Sequence, residues 1–219
     1  MLVSDIIQTS VPVLHYTDTV EYATALLQDN SMQHIAVINN ENYEGLLSMD
    51  ELLSADERDT IAALANKLMH VSITEDQYFL TALKLITEYN ITALPVLSAG
   101  KEYVGLVTET ILLQALATFT GIEVPGGVFV LEMPKEKFSI GEICRLIETN
   151  DAFVTQVNTY TDHLSGMLVV AFKINKTEIS DILATLQRYE YTVKYFFGEE
   201  HYENTLKENF ENLMAYLNV

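Results

Sequence analysis

Apolar residues recur along the chain with two periods, and the switches between them predict the elements. Val20, Ala23, Leu26 and Leu27 sit at helical spacing, with Asp18 or Thr19 placed to cap the first turn. A short apolar run over residues 35–38 follows, then a polar turn over 39–44, a second run over 45–47 and a short helix over 50–53. The order returns further on: a helix containing Phe79, Ala82, Leu85 and Ile86, a strand over 94–97, a polar turn over 98–102, a strand over 103–107 and a helix over 110–118. Between the two sets, Ile61, Leu64 and Leu68 predict a connecting helix within residues 60–70.

The second set overlays the first residue by residue. Val20 falls on Phe79, Ala23 on Ala82, Leu27 on Ile86 and Val37 on Val96, an offset of 59; one residue is then gained in the turn, so that Gly45-Leu46-Leu47-Ser48 falls on Gly105-Leu106-Val107-Thr108. A period near sixty is too long for a solenoid repeat and implies two copies of one small domain. Neither copy covers both faces of its own strands, so the two are expected to pack side by side.

Gly121, Pro125, Gly126 and Gly127 interrupt both periods and mark a linker over 120–127. Beyond it the pattern reads strand (128–133), helix (140–148), strand (153–160), strand (167–174), helix (178–189), strand (191–197), with Ser139 and Thr177 as expected caps. This βαββαβ order predicts a ferredoxin-like sheet with helices on one face. In the tail, Tyr202, Leu206, Phe210, Leu213, Met214 and Leu217 lie near helical spacing and predict a terminal helix that must bury its stripe on its own domain or on a partner. The expected domains are therefore 1–119 (copies at about 1–58 and 59–119), 128–198 and a helix over 199–219.

Charge narrows the partners. With 12 Lys and Arg against 31 Asp and Glu, the 219-residue chain carries a formal charge of −19. That excludes nucleic acid as the expected partner, because affinity there rests on Lys and Arg at phosphates, and it argues against anionic membrane surfaces. No apolar run approaches the roughly 18 residues of a membrane span. The start of the chain has no basic stretch of a signal peptide. A cytoplasmic location is the expectation, and a single cysteine, Cys144, forbids an internal disulfide. Cys144 lies beside Ile143 in an apolar helix and is expected to be a small core residue rather than a nucleophile. No Gly-rich phosphate loop, His-Glu-x-x-His or Cys-x-x-Cys spacing occurs, so neither catalysis nor a metal site is expected.

The doubled order, the strand with Pro95-Val96 and the Gly-x-x-Ser/Thr segments leading into helices resemble the CBS domain family, of which a tandem pair forms a Bateman module. The length and order of the second half look like an ACT domain. The combination is similar to the acetoin-utilisation type of CBS regulatory protein. The resemblance implies an α+β chain: a CBS pair of two βαββα-type repeats, a ferredoxin-like ACT-like domain and a C-terminal helix. It also implies a regulatory homodimer that acts on a further protein and holds an adenine nucleoside or nucleotide, such as AMP, ADP, ATP or S-adenosylmethionine, between the copies.

In the family, a Ser or Thr ends the second strand and contacts phosphate or ribose, and an Asp three residues later takes the ribose hydroxyls; a carboxylate can accept two hydrogen bonds from a vicinal diol. Carried over, Ser48 and Thr108 take the hydroxyl place, and Glu51, with Asp50 beside it, stands where the Asp is usual. In copy two Ile111 replaces that carboxylate. His34, just ahead of the first strand, lines the cleft in this reading. The bland alternatives stand beside it: Ser48 and Thr108 cap helices, Asp50 and Glu51 favour a helix dipole, and His34 is structural. In the ACT-like half, the loop 133–141 lacks the usual Pro-Gly pair, and its Gly141 is displaced along the loop, so dimerisation without an amino-acid ligand is the expectation. Two functions follow: a nucleotide-responsive regulatory module, or a ligand-free scaffold for a protein partner.

Overall fold

The computed structural model describes residues 1–40 and 42–198. The expected terminal helix lies outside the described residues. The chain divides into two compact units, Met1–Phe119 and Thr120–Val219.

In the first unit, copy one comprises α1 (Val20–Asp29), β1 (His34–Asn39), β2 (Asn42–Ser48) and α2 (Met49–Leu53). Copy two comprises β3 (Ile73–Thr74), α3 (Phe79–Tyr89), β4 (Ala93–Leu97), β5 (Tyr103–Thr108) and α4 (Glu109–Phe119). Each copy is built on an antiparallel hairpin, β1 with β2 and β4 with β5. β3 adds to β4 in parallel, with Ile73 beside Val96. In copy one the equivalent strand shrinks to one parallel bridge, Leu14 beside Val37. Both copies are therefore βαββα, with a short first strand that the apolar pattern alone did not reveal.

Of the two expected caps of α1, Thr19 serves, accepting from the Tyr22 amide at 3.2 Å. α1 buries Val20, Ala23 and Leu27 against Ile35, Val37 and Leu47; α3 buries Phe79, Ala82 and Ile86 against Leu94 and Val96. Each such side chain stabilises by about 1.5–3 kcal/mol through removal from water. Where β1 meets β4, the contact is made by Ala36 and Ala93 together with Leu106, all buried. Small residues there let the two hairpins approach.

The second unit contains β6 (Val128–Met133), α5 (Ile140–Glu148), β7 (Val154–Thr161), β8 (Leu168–Ile174), α6 (Ser180–Arg188) and β9 (Val193–Phe197). Its sheet runs β7-β8-β6-β9 with every pairing antiparallel, the ferredoxin-like arrangement. Ile143, Leu146 and Ile147 of α5 and Ile182, Leu183 and Leu186 of α6 join Phe129, Leu131, Val170 and Phe172 of the sheet in one core. Phe129 and Phe172 stack with ring centroids 5.3 Å apart.

The connecting helix is present, as a 3₁₀ helix, Ile61–Lys67; three other expectations need correction. Three residues per turn put Ile61 and Leu64 on one buried side, and Leu68 is already extended because Met69 must pair with Leu46. Ser139 sits before α5 but makes no cap hydrogen bond with its side chain. α6 begins at Ser180, with Ile179 rather than Thr177 in the capping position, because Ile179 is drawn into the core. Cys144 is only half-buried and outside the core of its unit.

Candidate functional site

The two copies are threaded through each other. The lead-in to copy one crosses onto copy two: Gln8 N–H donates to the Leu106 carbonyl (2.8 Å) and Leu106 N–H to that of Gln8 (3.0 Å). The lead-in to copy two crosses back, with Met69 and Leu46 exchanging two bonds of 2.9 Å. These crossings explain the repeated glycine. Gly45 and Gly105 have φ of 157° and 156°, beyond what side-chain-bearing residues commonly adopt. A Cβ on Gly45 would lie 2.6 Å from Leu68 Cβ, and one on Gly105 would press on the carbonyl oxygen of Gln8.

Three residues beyond each glycine comes the hydroxyl. Ser48 Oγ accepts from the Glu51 amide at 3.2 Å and so caps α2. Thr108 Oγ1 accepts from the Ile111 amide at 3.4 Å and donates to Gln8 Oε1 at 3.4 Å. Register sets His34 opposite Ser48 and Ala93 opposite Thr108. His34 reaches across to copy two: the Thr92 amide donates to Nδ1 at 3.2 Å, and the Thr92 hydroxyl lies 3.0 Å from the same nitrogen. Nδ1 is thus the acceptor, and the imidazole carries its proton on Nε2. Burial pushes the His34 pKa down, against the opposing pull of the Asp50 and Glu109 carboxylates.

A cleft of about 370 Å³ opens at this junction. Copy one contributes residues 30–34; copy two contributes Thr92, Ala93, Thr108, Glu109 and Thr110. Of the five residues singled out from sequence, His34 and Thr108 stand on its wall, and Asp50 acts on His34 through its charge. Ser48 and Glu51 are not on that wall. Glu51 is instead engaged by Lys67, Nζ to Oε2 2.6 Å, and Lys67 also donates to Ser54 Oγ at 3.3 Å. Thr92, Glu109 and Gln8 were missed. Thr92 precedes the residue that the offset of 59 assigns to His34, so the repeat itself carried that signal.

A second hollow of about 350 Å³ lies by α4, between Asp5, Ile7 and Gln8 on one side and Ile111, Gln114 and Thr118 on the other. The second unit has its own cavity of about 290 Å³, lined by Glu132, Pro134, Lys137, Glu142 and Tyr191 among others. Tyr191 donates to Glu142 Oε2 at 2.9 Å, and burial, reinforced by that carboxylate, pushes its phenol up to about 12. Among the described residues no group of His, Cys, Asp or Glu is arranged to hold a metal ion, and no helix is long and apolar enough to cross a membrane.

Two interleaved βαββα copies with a cleft at their junction define a tandem module. The CBS domain family matches residues 3–58 and 65–118, half of the chain, and the chain belongs to that family. Among solved structures, it is similar to a CBS domain pair/ACT domain protein from Thermotoga maritima: 20% identity, TM-score 0.50, over 54% of this chain and 98% of the other. It also resembles CBSX2 in complex with AMP (20% identity, TM-score 0.45, 54% of this chain and 98% of that one). The cytosolic domain of the Mg²⁺ channel MgtE in complex with ATP matches at 23% identity and TM-score 0.43, over 50% of this chain and 46% of that one. CBS domain pair proteins are generally regulatory rather than catalytic.

Proposed function

We propose that this protein is a non-enzymatic sensor that takes an adenine nucleoside or nucleotide in the cleft between its CBS copies and passes the signal through a homodimer to a regulated protein. The observation that carries the reading is the cleft at the junction, where His34 of copy one and Thr108 of copy two share one wall. A ligand touching both copies stabilises whichever relative arrangement it fits, and that differential affinity is the only energy available for signalling. In this reading Thr108 and His34 contact the ligand directly, Asp50 tunes His34, and Ser48 with Glu51 serves a diol entering from the copy-one side. Dimerisation is supported by Leu53 and Leu113, equivalent residues on α2 and α4 that are 66% and 70% exposed.

A thermal-shift panel of AMP, ADP, ATP and S-adenosylmethionine, with and without Mg²⁺, tests the reading. A ligand at a hundred times its Kd adds about 2.7 kcal/mol, several degrees at this size. Thr108→Val should remove the shift. Light scattering tests the dimer, which Leu113→Glu should split.

One observation favours the scaffold reading instead. One ribose-carboxylate position is occupied by Ile111, and the other, Glu51, already holds Lys67. If no adenine ligand shifts the melting temperature, the module is a ligand-free dimerisation scaffold for a protein partner.

A further inference from the structure

The cleft at the junction of the copies has a chemistry that selects among adenine ligands. Among its lining residues there is no Lys and no Arg, and the only carboxylate is that of Glu109. Asp50 adds a second negative charge close enough to act on His34. The imidazole offers no compensating positive charge, since Nδ1 accepts the Thr92 amide and His34 presents a neutral N–H. Glu109 occupies the first turn of α4, so the positive end of that helix already faces a carboxylate of its own chain. Thr108 Oγ1 takes the Ile111 amide, one of the donors an anion would need. Lys67, beside the strand-end motif of copy one, is committed to Glu51 and stands off the cleft wall.

We infer that this cleft excludes phosphate and takes an adenine nucleoside whose 5′ group is uncharged or cationic. The inference rests on the adenine reading above and deepens it. Besides Met32 and Ala93, what remains on the wall after the carboxylate are neutral hydrogen-bonding groups: the hydroxyls of Ser31, Thr92, Thr108 and Thr110, the amides of Asn30 and Gln33, and the His34 imidazole. These suit the ring nitrogens of a purine and the hydroxyls of a ribose. A 5′-phosphate would bring about two negative charges towards Glu109 in a half-closed space, where Coulomb energies exceed those in open water. A sulfonium or ammonium at the same place gains from the same field.

The test is calorimetric titration of the full chain at low salt with EDTA, using adenosine, S-adenosylmethionine, AMP and ATP, on the native protein, Glu109→Gln and Asp50→Asn. Glu109 is exposed, so its replacement leaves the fold in place. The expected order of affinity is S-adenosylmethionine, adenosine, AMP, ATP, with roughly tenfold lost per phosphate. Glu109→Gln should tighten AMP by several fold, weaken S-adenosylmethionine by a similar factor and leave adenosine unmoved; Asp50→Asn should do the same to a smaller degree. Adenosine separates the two claims. If it binds but AMP or ATP binds more tightly without Mg²⁺, or if Glu109→Gln moves all four ligands alike, the phosphate exclusion is overturned and the adenine reading survives. If none of the four binds, the adenine reading falls and takes this inference with it.

Discussion

The two CBS copies have one fold and two chemistries. Both keep the glycine under the crossing segment, the hydroxyl at the strand end and a helix after it. They part where a ligand would be read. Copy one has His34 where copy two has Ala93, and Glu51 with its Lys67 partner where copy two has Ile111. The scaffold is held in common because each copy's lead-in lies on the other's second strand, so backbone geometry must match on both sides. Side chains facing the cleft carry no such constraint. A duplicated domain thus keeps its crossing symmetric while its junction becomes one asymmetric cleft.

The sharpest way to break the common part is at the glycines, and the two should not break equally. Gly105→Ala drives a methyl into the carbonyl of Gln8, whose backbone is held by the pair of hydrogen bonds it exchanges with Leu106, and should cost about 4 kcal/mol from backbone strain plus overpacking. Gly45→Ala meets Leu68 Cβ, which moves only with its own backbone but carries no hydrogen bond, and should cost about 3 kcal/mol. Urea denaturation of both variants checks the order. Equal costs would mean that the two crossings are equally rigid.

Next come the tyrosines at equivalent places in the second strands. Tyr43 donates to the Val71 carbonyl at 2.8 Å, whereas the buried Tyr103 hydroxyl has no hydrogen-bond partner among the described residues. Burial pushes both phenols up. Tyr43→Phe should lose about 1–2 kcal/mol, because a buried carbonyl loses its donor. Tyr103→Phe should be neutral or gain up to about 1 kcal/mol by deleting an unpaired hydroxyl. Melting temperatures moving in opposite directions would confirm the asymmetry, and a loss in both would show that Tyr103 has a partner in solution.

How much of this was legible beforehand follows the same division. The repeat showed in the sequence because Val37 and Val96, or Gly45 and Gly105, hold equivalent places in equivalent packing. The ferredoxin-like order showed because its helices carry clean stripes such as Ile143, Leu146 and Ile147. What did not show was set by tertiary contacts. Leu14 and Ile73 add a first strand with almost no pattern of their own, and residues 61–67 follow 3₁₀ geometry because Leu68 must turn extended to lay Met69 on Leu46. The candidate site divided likewise. Strand ends pointed to Ser48, Thr108 and His34, but only the packing of the copies brought Thr92 and Glu109 beside His34 and turned Glu51 towards Lys67.

The capping hydroxyls compare the copies more gently. Ser48→Ala should cost about 1 kcal/mol, and Thr108→Ala about 0.5 kcal/mol, in keeping with bonds of 3.2 and 3.4 Å to the amides they cap. Thermal denaturation without ligand reads the structural part. The same two variants titrated with adenosine read the rest. Thr108, on the cleft wall, should lose binding, while Ser48, off it, should keep most of its affinity. Equal loss at both positions would mean that ligand also occupies the copy-one side.

The smallest effect on stability carries the finest distinction. Lys67 and Glu51 are each more than a third exposed, so their 2.6 Å ion pair is screened by water and Lys67→Met should change stability by less than about 0.5 kcal/mol. Its consequence for binding is separate from that figure. While Lys67 holds Glu51, a ribose diol must displace an ammonium to use the carboxylate. With the ammonium gone, the carboxylate is free to accept both hydroxyls. If Glu51 serves a ligand in copy one, Lys67→Met should tighten adenosine by a few fold with the melting temperature of the free protein almost unmoved. If affinity stays the same, Glu51 is an ordinary surface partner of Lys67. The difference between the copies that bears on the proposed site then lies at His34 and Ala93, on the wall of the cleft.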